Sequence, residues 1–198
     1  MLKNQLALFA AGIVLALSLT LSCSSGDDSG GNNGSYGSVY YEGQTYKTVL
    51  IGTQTWMAEN LNYAASGSKC YGNKPENCQK YGRLYDWSTA KKACPSGWHL
   101  PSKAEWEVLG NDSKKLKAKS GWNSGGNGTD QYGFSALPGG NGDSIGSFNA
   151  VGISGYWWSA DESDSDGAYR RDMYYSCGNA YWYYSLKSFL FSVRCVQD

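Results

Sequence analysis

The stretch Ala168-Tyr169-Arg170-Arg171-Asp172-Met173-Tyr174-Tyr175-Ser176 carries a period of two. Tyr169, Arg171, Met173 and Tyr175 alternate with Arg170, Asp172, Tyr174 and Ser176, and successive side chains of a strand point to opposite faces. The first set is the more apolar, so the pattern predicts a strand with that set inward and the second set toward water. β-like runs flank it at Tyr156-Trp157-Trp158-Ser159 and from Phe191 to Val196. Between Tyr156 and the C-terminus lie 12 of the chain's 29 aromatic residues, which makes this end an aromatic β-segment. Asn179-Ala180-Tyr181-Trp182-Tyr183-Tyr184-Ser185-Leu186 shows no clean period, as expected of a loop or edge displayed for contact.

Working outward, Val39-Tyr40-Tyr41, Tyr46-Lys47-Thr48-Val49-Leu50-Ile51 and Gln54-Thr55-Trp56-Met57 read as short antiparallel strands. Asp86 can cap a helix through Trp87, Ala90 and Ala93 that Pro95 closes, and Ser102-Lys103-Ala104-Glu105 has the capping-box spacing ahead of Trp106 and Leu109. From Ser120 to Gly155 the chain is rich in Gly and Asn, with only Phe134-Ser135-Ala136-Leu137 strand-like, so this part is expected to be mostly loop. Abundant Gly, Tyr and Trp with few charges argue against a helix bundle.

The N-terminus has the layout of an export signal: Lys3, an apolar run from Leu6 to Leu21, then Ser22-Cys23. Leu19-Thr20-Leu21-Ser22-Cys23 resembles a bacterial lipobox, with Thr20 where Leu is usual. That resemblance implies a signal over 1–22 and a lipid on Cys23; the alternatives are a soluble secreted protein or an uncleaved anchor. Residues 23–38 are polar, have almost nothing apolar to bury, and are expected to be a flexible tether. Residues 39–198 are one domain's worth of chain. The formal net charge is +0, and loss of Lys3 leaves it near −1 with no block of like charge, which disfavours nucleic acid as a partner.

Beyond Cys23 there are five cysteines: Cys70, Cys78, Cys94, Cys177 and Cys195. An odd number in an exported chain leaves at least one free or intermolecular. Cys70 and Cys78 flank a Gly72-Asn73-Lys74-Pro75 turn, where a local bridge is easy. With one histidine, His99, and no C-x-x-C, a zinc site is not expected, and no cofactor is implied.

Trp56-Met57-Ala58-Glu59-Asn60-Leu61-Asn62-Tyr63, Gly82-Arg83-Leu84-Tyr85-Asp86-Trp87, Cys94-Pro95-Ser96-Gly97-Trp98-His99-Leu100-Pro101 and Phe191-Ser192-Val193-Arg194-Cys195-Val196 resemble the Fibrobacter succinogenes major paralogous domain over nearly all of the chain after the tether. That family resembles the C-type lectin and formylglycine-generating enzyme fold. The resemblance implies an α+β domain of two helices and a twisted antiparallel sheet with long irregular loops. It also implies a Cys94–Cys195 bridge, worth on the order of 4 to 5 kcal/mol in the chain-entropy model. The stretch from Gly167 to Phe189 resembles the variable region of retroelement-diversified proteins. On that resemblance the changeable positions are Arg170, Asp172, Tyr174, Ser176, Cys177, Asn179, Tyr181, Tyr183, Tyr184, Leu186 and Phe189, and Leu190 departs from the family's usual Gly.

Tyr and Trp interleaved with Ser, Gly and Asn are the composition of a paratope. The competing reading, that the rings are core, applies best to Trp182 and Tyr175. Glu162-Ser163-Asp164-Ser165-Asp166-Gly167 alternates oxygen ligands as a calcium loop does, but Met173 stands where the bidentate Glu belongs, so a solvated turn is the better reading. Gly142-Asp143-Ser144-Ile145-Gly146 matches a nucleophile-elbow pattern in the wrong context. His99 reads as structural, and Glu105 and Glu107 fall on different helix faces. The expectation is a cell-surface, outer-membrane lipoprotein that binds a macromolecular ligand, protein or glycan, without catalysis. A carbohydrate-active enzyme and a structural envelope protein are the rivals.

Overall fold

The computed structural model describes residues 35–198; the expected export signal, the expected lipidation at Cys23 and most of the expected tether lie outside them. Strands β1 (Tyr36–Tyr41), β2 (Gln44–Ile51) and β3 (Gln54–Met57) form a meander. β1 takes in Tyr36-Gly37-Ser38, assigned above to the tether, because Tyr36 pairs with Val49 across the ladder. A helix that the sequence reading missed follows, α1 (Pro75–Tyr81), with Pro75 in its first turn, and Cys78 bonds back to Cys70 at a Cα separation of 4.9 Å. It ends at Gly82, whose φ of 76° is left-handed and whose Cβ, if present, would lie 2.7 Å from Asn60 Cβ. Only glycine fits both demands.

The two expected helices are present. α2 (Trp87–Ala93) starts where the Asp86 side chain accepts from the Thr89 N–H. After β4 (Trp98–His99), α3 (Lys103–Val108) opens on a complete capping box between Ser102 and Glu105. A short α4 (Ser113–Leu116) and the small hairpin β5 (Asn141–Gly142) and β6 (Phe148–Asn149) punctuate the long loop region. The chain closes with β7 (Ser154–Glu162), β8 (Gly167–Tyr174), β9 (Ala180–Leu186) and β10 (Val196–Gln197).

The architecture is thus α+β, with short helices and antiparallel sheets in the orders β1-β2-β3-β10-β4, β5-β6 and β7-β8-β9. β10 inserts between β3 and β4, so the last residues complete the first sheet, and the implied bridge Cys94–Cys195 is present at a Cα separation of 5.9 Å. β7 is the partition between two apolar clusters. Adjacent residues on a strand face opposite ways, so Trp157 enters the cluster of Val49, Trp56, Trp106 and Phe134 while Trp158 enters that of Tyr46, Leu61, Tyr85 and Phe191. Each indole N–H finds an acceptor, Asn60 Oδ1 at 2.9 Å for Trp157 and the Tyr85 carbonyl at 2.8 Å for Trp158. No helix among the described residues is long and apolar enough to cross a membrane.

Candidate functional site

β8 is the middle strand of its sheet. The inward set is correctly placed at its centre: Met173 is fully buried in the Trp157 cluster, and Arg171, 1% exposed, donates to the Gly110 carbonyl and Asn111 Oδ1. The water-facing expectation for the other set fails in part. Asp172 is fully buried, Arg170 and Tyr174 are half-buried, and only Ser176 is exposed. The reason lies in register. Tyr156 pairs with Asp172 and Trp158 with Arg170, so this face of β8 is the face that packs beneath Phe191. Paired residues share a face, and the period of two cannot tell a roofed face from a wet one.

Under that roof Arg170 Nη2 lies 3.3 Å from Asp172 Oδ2, which also accepts from the Tyr174 hydroxyl at 2.9 Å. The Arg170 guanidinium sits over the rings of Tyr156 and Phe191 at 4.8 and 4.9 Å. Burial above all pushes the Asp172 carboxyl up to about 7, against the pull of Arg170, the Tyr174 hydroxyl and Arg171. A carboxyl raised in the folded state holds a proton that the unfolded chain has released. Its stabilising contribution is therefore complete at acid pH and is lost as the pH climbs from about 4 to about 7. We expect the thermal midpoint to fall over that window and the Asp172→Asn variant to lose that part of the slope; superimposable pH profiles for the two proteins would refute it.

The segment Asn179 to Leu186, expected as loop or edge, is an edge strand in continuous register with β8 from Gly167↔Leu186 to Met173↔Ala180. The Ala180 N–H donates outward to the Asn111 carbonyl, and by the two-residue period Trp182 and Tyr184 also aim their backbone groups away from β8. Among the predicted contact residues, Tyr183, Tyr184 and Leu186 are 42%, 67% and 56% exposed. Tyr181 is half-buried in a run of rings, 6.0 Å from Tyr174 and 6.5 Å from Tyr183. Phe189 is half-buried, 6.0 Å from Phe191, and Asn179 bridges to Asp112. Cys177 is no displayed residue: it is 4% exposed. Packing explains this, since the Cys177 carbonyl is held by Ser113 Oγ and Lys117 Nζ and the turn presses onto α4. Trp182 is packed, as the competing reading had it, between the Arg171 guanidinium at 4.9 Å and the Lys103 ammonium at 5.3 Å.

Sequence reasoning missed Lys103, Lys114 and Lys117 beside this sheet. A lysine-rich segment such as Lys114-Lys115-Leu116-Lys117 reads as a solvated helix face, and nothing local marks Lys117 as buried. Residues weighed for chemistry are occupied structurally. Asp164 accepts from the Asp166 and Gly167 N–H groups, which lowers its carboxyl and fixes the β7–β8 turn. Asp143 holds the β5–β6 turn through the Ile145 and Ser147 N–H groups. His99 lies between Asp198 at 2.6 Å and Glu105 at 2.7 Å. Burial opposes its protonation, but those two hydrogen bonds outweigh burial and raise it. Among the described residues no group of three or more His, Cys, Asp or Glu is arranged to hold a metal ion.

Residues 49–197 match the family model of the Fibrobacter succinogenes major domain. The chain belongs to this family. Within this Fibrobacter succinogenes major domain, Asn60, Gly82, Trp87 and Arg194 are packed or bonded between elements, whereas β9 forms the edge of its sheet. No curated protein and no solved structure matches the chain significantly.

Proposed function

We propose that this chain is a lipid-anchored binding module of the cell surface, built on a C-type lectin-like fold and without chemistry of its own. The β9 edge, with Tyr183, Tyr184 and Leu186, would meet a macromolecular ligand, protein or glycan, and retroelement mutagenesis of Gly167 to Phe189 would change that face. The reading is carried by one observation: Tyr183, Tyr184 and Leu186 are exposed in a seven-residue edge strand that is held in place through Trp182, packed between the Arg171 guanidinium and the Lys103 ammonium. Rigid rings on a fixed frame give contact area at small entropic cost. Antiparallel sheets with few, short helices and the bridge from the end of α2 to the last strand support the lectin-like assignment.

The triple variant Tyr183→Ala, Tyr184→Ala, Leu186→Ala tests it. Ligands selected on the wild type from a glycan array and a displayed peptide library should lose affinity at least about tenfold on the variant, while its stability changes by less than about 1 kcal/mol. Ligands that hold both proteins equally, or a variant that unfolds, would refute the face. A near-copy of the 3′ coding sequence beside a reverse-transcriptase gene, differing only at adenines, tests the diversification.

A further inference from the structure

We infer that the cavity beneath the β8–β9 turn, walled by Lys114, Lys117, the Ser124–Asn127 loop and Ser176, binds a small oxyanion: a phosphate or sulfate monoester, or a carboxylate. This site is separate from the tyrosine-rich edge and does not depend on that edge binding anything.

The cavity holds about 370 Å³, and its lining contains two lysines and no acidic residue. Lys117 is 1% exposed. Its ammonium donates to the Tyr174 and Cys177 carbonyls, both at 2.8 Å, and lies 5.0 Å from the Trp122 ring. An ammonium has three N–H donors, so two carbonyls leave one unspent. Among the described residues no carboxylate lies within ion-pair distance of Lys117; the nearby Asp112 pairs with Lys115 instead. A buried cation with no counter-ion is costly. Burial first, and then the charge of Lys114, push the Lys117 ammonium down to about 8, with only Asp112 opposing. An anion seated in the cavity would reverse both effects.

The walls suit such a guest. A Cβ on Gly126 would lie 2.5 Å from the Tyr175 carbonyl oxygen, so the loop backbone lies directly on the turn and fixes the mouth of the cavity. Ser124, Asn127 and Ser176 add neutral donors that an oxyanion's several lone pairs can use. An apolar guest would leave these groups unpaired, and a cation would meet two ammonium groups.

The full-length protein should be titrated with sodium methyl phosphate, methyl sulfate and acetate at constant ionic strength, with chloride as the reference, following the Lys117 ¹³Cε signal by NMR. At least one anion should bind saturably with a millimolar or tighter Kd and move the Lys117 titration midpoint upward; the preferred anion identifies the source of the oxyanion. Lys114→Ala should weaken binding by about tenfold. Ser176→Asp, which places a carboxylate in the cavity, should abolish anion binding and raise the thermal midpoint, because Lys117 then has its counter-ion. The site is overturned if no anion shifts the Lys117 signal beyond chloride, if Ser176→Asp binds as wild type does, or if that variant is less stable than wild type.

Discussion

Arg194→Ala is expected to destabilise the domain by about 4 kcal/mol, a large share of the 5 to 15 kcal/mol typical of a domain. The side chain is fully buried, and its guanidinium donates to Asn60 Oδ1 at 2.7 Å, to the Met57 and Ser135 carbonyls at 3.0 Å each and to the Phe134 carbonyl, over whose ring it also lies. Those acceptors come from the end of β3, the segment after it and the Phe134–Ser135 stretch of the long loop, three places that no regular ladder joins. Removing the donors leaves buried oxygens without partners, at about 1 to 3 kcal/mol each before relaxation. Burial pushes the guanidinium down to about 9, partly offset by Glu59 and Asp130, so it stays charged at neutral pH and its hydrogen bonds are the strong kind. Arg194→Lys should cost about half as much, since one ammonium cannot span four acceptors. Urea denaturation decides it: an Arg194→Ala midpoint corresponding to less than about 1 kcal/mol would show that the loop is held by apolar contacts alone.

The helices and first strands were legible because their signals are local. Asp86 and Ser102 are caps whose geometry is set within three residues, and β2 shows its alternation in Tyr46 and Thr48. Helix α1 has a weaker local signal: Pro75 and Glu76 suit a first turn, but Gly72-Asn73-Lys74-Pro75 has equally the composition of a chain reversal, and a turn does run directly into the helix. The period of two in β8 sorted its side chains onto the right faces, down to an arginine on the inner side. What it could not reveal was that Phe191 and Tyr156, distant in sequence, cover the other face and bury Asp172. β9 lost its period for the same reason: with Trp182 packed on one side and Tyr181 leaning on Tyr174 on the other, neither face requires polar residues. Of the contact residues expected from sequence, the exposed ones are Ser176, in the turn after β8, and Tyr183, Tyr184 and Leu186 at the edge, where no neighbouring strand was available to cover them. Lys117 had no sequence signal, since its burial comes from a turn 57 to 60 residues further along the chain.

Replacing both Cys94 and Cys195 by alanine should cost about 4 to 5 kcal/mol, roughly twice the effect of replacing Cys70 and Cys78. Loop length is the reason. The first bridge spans a sequence separation of 101 and the second one of 8, and closing about 100 residues withdraws more freedom from the unfolded chain than closing a single turn, about 4.7 against about 2.5 kcal/mol. Both sites lie within hydrogen-bonded structure, so the native state should keep its shape until it unfolds. The long bridge also has a topological role. β10 reaches its place between β3 and β4 only after the whole chain has been laid down, with two residues of ladder to hold it, and Cys195 ties that short strand to the end of α2. Urea curves of the wild type, the two double variants and the reduced wild type separate the contributions. If the Cys94 and Cys195 variant is no less stable than the Cys70 and Cys78 variant, the short strand is held by Val196, Arg194 and their neighbours without help, and loop closure is not what stabilises the end of the chain.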